Sequence, residues 1–498
     1  MKFWRGQRDE RMTRFFKTAA ICVLSCCLCF SGCGADKRDR NPEVQSGEGL
    51  GSVGESAQSP HPVDPEEQLR VPMPAQIVPE GRQVVTLGTF GAVNAESPMY
   101  QAVNAFNKAQ ERYFVSIEVY GSYDHFLLDI ARKQGTDLYN LFLGVSGDLL
   151  VAQGVLEDLT PYFERSSAVN REDIVDAVWR AGSVDDKLYF LFPSFCCYGI
   201  LVEKGHTKDG AWSGRDYIEL GKKNPGCMLN AQIKNPTAQI LSELREYMAA
   251  FIDWDNRSCS FDSDEFIALL KDLKALSDYS YEAVDKDATR AELIRGKTYL
   301  SMNVAIVMSL GMSTYLDIQE AFGDSYEIAG YPTADGSLQY EMGFNFQQYG
   351  MNAGAKNKEG AWAFLEYLVS EEYQQPMPPN YIQGYSSPIG MMFPVRKDSL
   401  ERGLQANVDY VAGPDDYYTH STNPYTKERR EDGYKGFTEE DKQAVLRIID
   451  NSYRSVFETD FTLLSIWSEE VEPFFKGQKS AEEVADILQS IVSLYLIE

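Results

Sequence analysis

Cys33 is the residue whose position most directly suggests a chemical modification. Six basic residues before position 18 are followed by an apolar run over residues 19–30 and by the small residues Ser31 and Gly32. This order is typical of an export signal, which is cleaved after small residues. A reactive thiol therefore stands where the exported chain is expected to begin.

Residues 30–33 resemble the bacterial lipobox, with Phe30 in place of its usual Leu. The resemblance implies that residues 1–32 are a lipoprotein signal peptide and that Cys33 is lipidated. One acyl chain binds a membrane at only about 10⁴ M⁻¹, so stable anchoring requires the diacyl group that the lipobox implies. A transmembrane anchor is the alternative, but the apolar run is shorter than the roughly 20 residues that span a bilayer. Met12 is a second candidate start codon.

The charge balance excludes some partners. The 498 residues hold 47 Lys and Arg against 74 Asp and Glu, a net charge of −27. Nucleic-acid binding depends on basic patches that displace counterions, so a nucleic-acid partner is not expected. We expect contact with the membrane through the lipid anchor alone, on the extracellular face of the bacterial cell membrane.

Catalytic and metal-binding motifs are absent from the sequence. It contains no GxSxG, HExxH or GxxxxGK[ST] pattern, the residues after Cys33 hold no CxxC, and the four His of the sequence are scattered. The segment 253–256 begins like a calcium loop but lacks the required Gly and Glu. We therefore expect no catalytic residue, metal or cofactor, although scattered carboxylates leave a glycosidase pair open. A disulfide between Cys227 and Cys259 is possible, and nothing in the sequence supports it.

The elements that would position a site begin near residue 84. Residues 33–83, rich in Gly, Ser, Pro and acidic residues, are too polar to fold and are predicted to form a flexible tether. Strand and helix patterns then alternate as β-α-β-α-β through residue 143, which predicts a parallel sheet flanked by helices. Ligands of such sheets bind beyond the carboxyl ends of the strands.

Several later segments, taken in order, resemble the extracellular solute-binding lipoproteins of bacterial ABC importers, in the sugar-binding, family 1-like branch. Residues 154–162 are similar to the family's G-x-L-x-D-L-T-P-Y run, and residues 356–365 to its K-N-K-E-x-A-W-x-F-L helix. Residues 187–193 resemble its first crossing between lobes. Residues 330–336 resemble its second crossing, G-Y-P-T-x-D-G.

The resemblance implies an α/β, two-lobed periplasmic-binding-protein-like fold with a hinge between the lobes. Placing the crossings gives one lobe from residues 84–193 and 332–370. The other lobe then holds residues 194–331 and 371–498. The ligand is expected in the cleft between them, where hinge motion encloses it.

The candidate ligand contacts are the aromatic and polar residues that fall at predicted strand ends and crossings. Flat aromatic rings cover the C–H faces of sugars, and carboxylates and amides bind the hydroxyl groups. The aromatic candidates are Phe90, Tyr123, Tyr198, Phe344 and Phe346. The polar candidates are Asp124, Ser146, Asp148, Asn303 and Glu341. Packing of the rings, and turn or cap roles for the polar residues, stay open as alternatives.

These observations favour a monomeric binding protein without turnover. It would capture a small solute, expected to be an oligosaccharide, and deliver it to the transmembrane subunits of an ABC permease. Two alternatives stay open: an exported carbohydrate-active hydrolase, and a solute sensor or adhesin on the same fold.

Overall fold

The structure is a computed structural model that describes most of the chain after residue 74. The described ranges are 75–91, 93–121, 123–132, 135–141, 147–223, 244–254, 256–277, 307–309, 312–344, 347–376, 388–389, 392–411, 423, 426, 436–454 and 461–497. Four of the predicted site residues therefore lie outside the described residues: Cys33, Ser146, Asn303 and Phe346. Cys227 lies outside them as well.

The strands are mostly short. In chain order they are β1 Gln83–Phe90, β2 Tyr113–Tyr120, β3 Leu138–Asn140, β4 Ser183–Val184, β5 Lys187–Leu188, β6 Phe190–Leu191, β7 Ser194–Glu203, β8 Ile252–Asp253, β9 Ser258–Cys259, β10 Val307–Ser309, β11 Tyr326–Ala329, β12 Tyr340–Gly343, β13 Tyr349–Met351, β14 Phe393–Pro394 and β15 Ser452–Tyr453.

The helices fall between these strands and after them. They are α1 Pro98–Ala109, α2 Tyr123–Arg132, α3 Gly147–Ala152, α4 Thr160–Arg165, α5 Asp176–Gly182, α6 Gly214–Lys223, α7 Arg245–Ala249, α8 Asp264–Ser277, α9 Met312–Phe322, α10 Lys358–Leu368, α11 Lys397–Val408, α12 Glu439–Asp450, α13 Phe461–Phe475 and α14 Ala481–Ile497. Single 3₁₀ turns cover Arg171–Asp173 and Gly323–Ser325.

The first sheet has the order β2-β1-β3-β13-β6. Strand β1 pairs in parallel with both β2 and β3, as the alternating β-α-β-α-β pattern predicts. Strand β13 is antiparallel to β3 and β6. The core of this sheet includes Val85, Leu87 and Val115, which are fully buried, and its helices cover the apolar side chains of the strands.

The second sheet is organised around β7, its longest strand. The order is β10-β7-β12-β15, and β11 and β14 also pair with β7. Its core cluster joins strand residues such as Ile200 to rings from α8 and α13, Phe266 and Trp467, whose centroids lie 5.5 Å apart. Two sheets, each with its own helices, confirm the predicted two-lobed α/β fold.

The chain passes between the sheets at three places among the described strands. It leaves the first sheet after β6 and enters the second at β7, through the predicted crossing at residues 187–193. It returns between β12 and β13, and passes back after β13 to reach β14. Residues 330–336 instead lead from β11 into β12 within the second sheet. The reason is a backbone turn in which Tyr331 N donates to Gln339 O at 2.7 Å. The lobe boundaries given above stay a prediction.

Three side-chain amides cover the outer edge of β2, the edge strand of the first sheet. Each amide oxygen accepts from a backbone N–H of β2 while the amide nitrogen donates to the C=O of the same residue. The pairs are Gln110 with Tyr113, Asn107 with Val115, and Gln76 with Ile117, with donor–acceptor distances between 2.7 and 2.9 Å. The amides thus satisfy backbone groups that an edge strand otherwise offers to another chain. Gln76 belongs to the segment predicted as tether.

Candidate functional site

Three predicted ligand residues meet where the second sheet approaches the crossings. Tyr198 of β7 and Glu341 of β12 are direct register partners, and Phe344 follows β12 at the start of the passage from β12 to β13. The Tyr198 ring lies against Gly343, where a Cβ would collide with the ring. A glycine at this position therefore lets β12 approach the tyrosine closely.

Phe344 packs against the other crossing. Its ring stacks on Phe192 with centroids 3.5 Å apart and an interplanar angle of 12°, and both side chains are buried. The aromatic stack thus joins the passage from β6 to β7 with the passage from β12 to β13. This position suits a hinge contact, and the role of Phe344 as a ligand contact stays a prediction.

Glu341 forms an ion pair inside the second lobe. Its carboxylate pairs with the guanidinium of Arg245 on α7, and their side chains are 1% and 8% exposed. Arg245 also donates to the Tyr331 hydroxyl at 3.0 Å and lies 4.7 Å from the centre of the Tyr331 ring. In this arrangement the carboxylate stabilises the contact between β12 and α7.

Asp148 lies at the start of α3 and pairs with Arg454, the residue that follows β15. The Arg454 Nη2 donates to Asp148 Oδ1 at 2.9 Å, and Arg454 Nε donates to the Ala181 carbonyl oxygen at 2.9 Å. The guanidinium carbon is 4.9 Å from the centre of the Phe190 ring. That ring also packs on Gly147, where a Cβ would collide with it. The pair therefore links α3, which follows the first sheet's β3, to β15 of the second sheet.

The other predicted contacts are less informative. Phe90 ends β1 and is half-buried at the carboxyl edge of the first sheet, where ligands of such sheets bind. Tyr123 and Asp124 form the first turn of α2, at the same edge. The structure describes the backbone of these two residues only. Their contacts, like that of Phe90, stay predictions.

The neighbouring thiols of β7 are unsuited to nucleophilic chemistry. Cys196 and Cys197 are 1% and 0% exposed. Burial raises the pKa of the Cys197 thiol well above its usual range, although a hydrogen bond with Ser452 lowers it in part. Since the thiolate is the reactive form, this side chain serves packing. Cys259 is half-buried with a free thiol.

A surface cavity of about 480 Å³ lies beside α5. Its lining consists of Arg171, Asp176, Trp179, Arg180, Ser183, Asp185 and Asp186. The Arg171 guanidinium lies 4.7 Å from the Trp179 ring centre and donates to Asp176 at 2.7 Å. The Arg171 guanidinium already covers the face of the Trp179 ring that a sugar would need. The junction of the two sheets is therefore the better candidate site.

The described part of the chain holds no group of His, Cys, Asp and Glu residues that is arranged to bind a metal ion. The helices of the described ranges include none with the length and apolar character needed to cross a membrane.

The sequence did not identify the two arginines of the site. Arg454 is 306 positions from Asp148, and Arg245 is 96 positions from Glu341. Neither arginine falls in a recognisable motif, so only the fold brings these charges together. A buried carboxylate requires a partner, so the burial of Glu341, which only the structure shows, is the physical signal for a nearby cation.

The family model for bacterial extracellular solute-binding proteins matches residues 101–390. A comparison with curated proteins finds no significant match.

Solved structures with a similar chain course include three binding proteins. A solute-binding protein from Thermotoga lettingae bound with α-D-tagatose has 16% identity and a TM-score of 0.46, covering 83% of this chain and 100% of its own. The sugar-binding protein MalE from Xanthomonas citri has 13% identity and a TM-score of 0.47, covering 83% and 98%. A substrate-binding protein from Listeria monocytogenes in complex with cycloalternan has 13% identity and a TM-score of 0.45, covering 83% and 99%.

The family match extends over more than half of the chain and includes the first two passages between the sheets. Its description is of a binding protein and not of an enzyme. The chain therefore belongs to the bacterial extracellular solute-binding protein family.

Proposed function

We propose that this protein captures an oligosaccharide between its two lobes and delivers it to the transmembrane subunits of an ABC permease. The observation that carries the proposal is the family match over residues 101–390, which contain both the β6–β7 and the β12–β13 passages. Solutes of a two-lobed protein bind where such passages allow the lobes to move.

The choice of an oligosaccharide follows from the side chains near these passages. Tyr198 offers a half-buried ring on β7, and Asp148 offers a carboxylate at the start of α3. Rings that cover C–H faces and polar groups that bind hydroxyls are the usual combination for pockets that hold polar, partly apolar ligands.

The test is isothermal titration calorimetry of the full chain in a detergent without a sugar head group. Maltotriose, cellotriose, chitotriose and xylotriose are the probes, because they differ in linkage and in the substituents of their pyranose rings. We expect saturable binding of at least one probe and no change of that probe over hours. Absence of binding to all four would overturn the oligosaccharide assignment, and release of shorter sugars would show turnover.

We also propose that Cys33 anchors the protein to the outer face of the cell membrane. The support is the order of basic, apolar and small residues that precedes this thiol. Growth with tritiated palmitate should label the parent chain, and the Cys33→Ser variant should carry no label. Equal labelling of both chains would contradict the anchor.

A further inference from the structure

Arg454 occupies an unusual position between the two sheets. It directly follows β15, which pairs with β12 in the second sheet. Its guanidinium contacts Asp148 of α3, the Ala181 carbonyl of α5 and the Phe190 ring of β6. The Arg454 side chain is only 7% exposed and that of Asp148 is 22% exposed.

Both members of this ion pair keep one polar atom without a partner. Arg454 Nη1 and Asp148 Oδ2 are buried and make no hydrogen bond to any residue that the structure describes. A buried polar group without a hydrogen-bond partner lowers stability, and a buried charged group without one lowers it more. Arg454 Nη1 can therefore donate a hydrogen bond, and Asp148 Oδ2 can accept one, from a single group that both accepts and donates.

We propose that Asp148 and Arg454 form a polar subsite that binds a hydroxyl group of the solute. The hydroxyl oxygen accepts from Arg454 Nη1, and its proton is donated to Asp148 Oδ2. This inference rests on the proposed capture of an oligosaccharide. Because the pair joins elements of both sheets, opening of the lobes gives a solute access to it.

A hydroxyl suits this pair better than a charged group does. An anionic group would meet the Asp148 carboxylate, and an ammonium group would meet the Arg454 guanidinium. The hydroxyl supplies both an acceptor and a donor without adding charge to a site that already balances one cation and one anion. The adjacent Phe190 ring adds an apolar wall.

Arg180 provides a matched control from the same region. It lies on α5 and donates to the Asp450 carbonyl at 2.7 Å and to the Ser452 carbonyl at 3.3 Å. Its guanidinium lies 4.6 Å from the Tyr453 ring centre. Arg180 therefore also holds the β15 segment against α5, but its contacts do not include Asp148.

The experiment measures dissociation constants and melting temperatures for five full-length chains: the parent, Arg454→Met, Asp148→Asn, the double variant Asp148→Asn/Arg454→Met, and Arg180→Met. The probes are the four trisaccharides named above. Hydrogen bonds to charged groups contribute about 1.5–3 kcal/mol, which corresponds to roughly 10- to 150-fold in affinity. We expect Arg454→Met to weaken binding of the bound probe at least tenfold and Arg180→Met to change it less than twofold.

Asp148→Asn keeps the shape of the side chain and one oxygen for Arg454, but it replaces an acceptor oxygen with an amide donor. It should weaken binding about tenfold, and it remains informative if Arg454→Met does not fold. The double variant Asp148→Asn/Arg454→Met should lose no more affinity than Arg454→Met, because both side chains bind one hydroxyl.

The outcomes separate the two proposals. A parent that binds no probe overturns the proposed function, and the subsite with it. A parent that binds, together with an Arg454→Met chain of equal affinity, overturns the subsite alone. Equal losses of affinity in Arg454→Met and Arg180→Met would show that Arg454 only holds β15 in place, and would also overturn it.

Discussion

Removal of the Glu341 carboxylate should destabilise the protein strongly. In the Glu341→Ala variant the Arg245 guanidinium stays in the second lobe, where its side chain is 8% exposed, without its anion. Removing one partner of a buried ion pair costs about 3–5 kcal/mol, because the remaining charge is left uncompensated. Arg245 keeps its hydrogen bond to the Tyr331 hydroxyl, so we expect a value near the lower end, about 3 kcal/mol.

Urea unfolding followed by circular dichroism measures this change. With a slope of about 3 kcal/mol per molar urea, the midpoint should fall by about 1 M. Glu359→Ala is the matched control, because Glu359 also pairs with an arginine, Arg165, but both side chains are at least half exposed. Exposed ion pairs contribute at most about 1 kcal/mol, so the control should shift the midpoint by a third of that amount or less.

A double variant tests the reason for the loss. Arg245→Met/Glu341→Leu removes both charges and fills the space with apolar atoms, so it should be more stable than Glu341→Ala alone. Two results would refute the reasoning: a Glu341→Ala midpoint within 0.3 M of the parent (roughly 1 kcal/mol by the same slope), or a double variant less stable than the single one. The first result would mean that the Glu341 carboxylate of the parent is not held in an ion pair and is available to a solute.

Three further predictions concern other parts of the fold. Asn107→Ala leaves both backbone groups of Val115 without their amide partner, so it should cost about 1–2 kcal/mol and speed exchange of the Val115 amide hydrogen; unchanged exchange would contradict this. Cys197, whose thiol pKa is raised by burial, should resist iodoacetamide in the native protein and react in urea, as peptide mass spectrometry can show; native labelling would disprove it. Burial opposes ionisation of Asp398, but Arg396 binds both carboxylate oxygens and leaves the pKa of Asp398 below its usual value. Its contribution to stability is complete above about pH 4 and is lost as pH falls through that lowered pKa, so the parent and Asp398→Asn should differ at pH 7 and converge as the pH falls through it; a constant difference would refute the assignment.

Local patterns predicted the elements of this fold well. The C-terminal helix begins where Ser480 and Glu483 form reciprocal hydrogen bonds at 2.7 and 3.1 Å, as their spacing indicates. Met99, Val103 and Phe106, which are spaced for one helical face, fall in helix α1, and the alternating residues 115–120 fall in strand β2. Such signals depend on neighbours within one turn or one strand, so a single sequence contains them.

The contacts between distant segments were less predictable. The second passage between the sheets lies between β12 and β13 and not at residues 330–336. The reason is a turn, closed by the hydrogen bond from Tyr331 N to Gln339 O, which returns the chain to the same sheet. Asp148 and Glu341 were recognised as polar candidates, but their cations are 306 and 96 positions away. Spacing along a chain does not indicate such pairs, which depend on the tertiary arrangement.

The amide of Gln76 has a mechanical consequence under the proposed anchoring at Cys33. A pull on the N-terminal side of Gln76 would reach the edge strand β2 at Ile117, where two hydrogen bonds would resist it together. The load would then enter the fold at β2 and not at Phe192 and Phe344, whose stacked rings join the two passages between the sheets. Tension on the anchor would thus leave those passages unloaded.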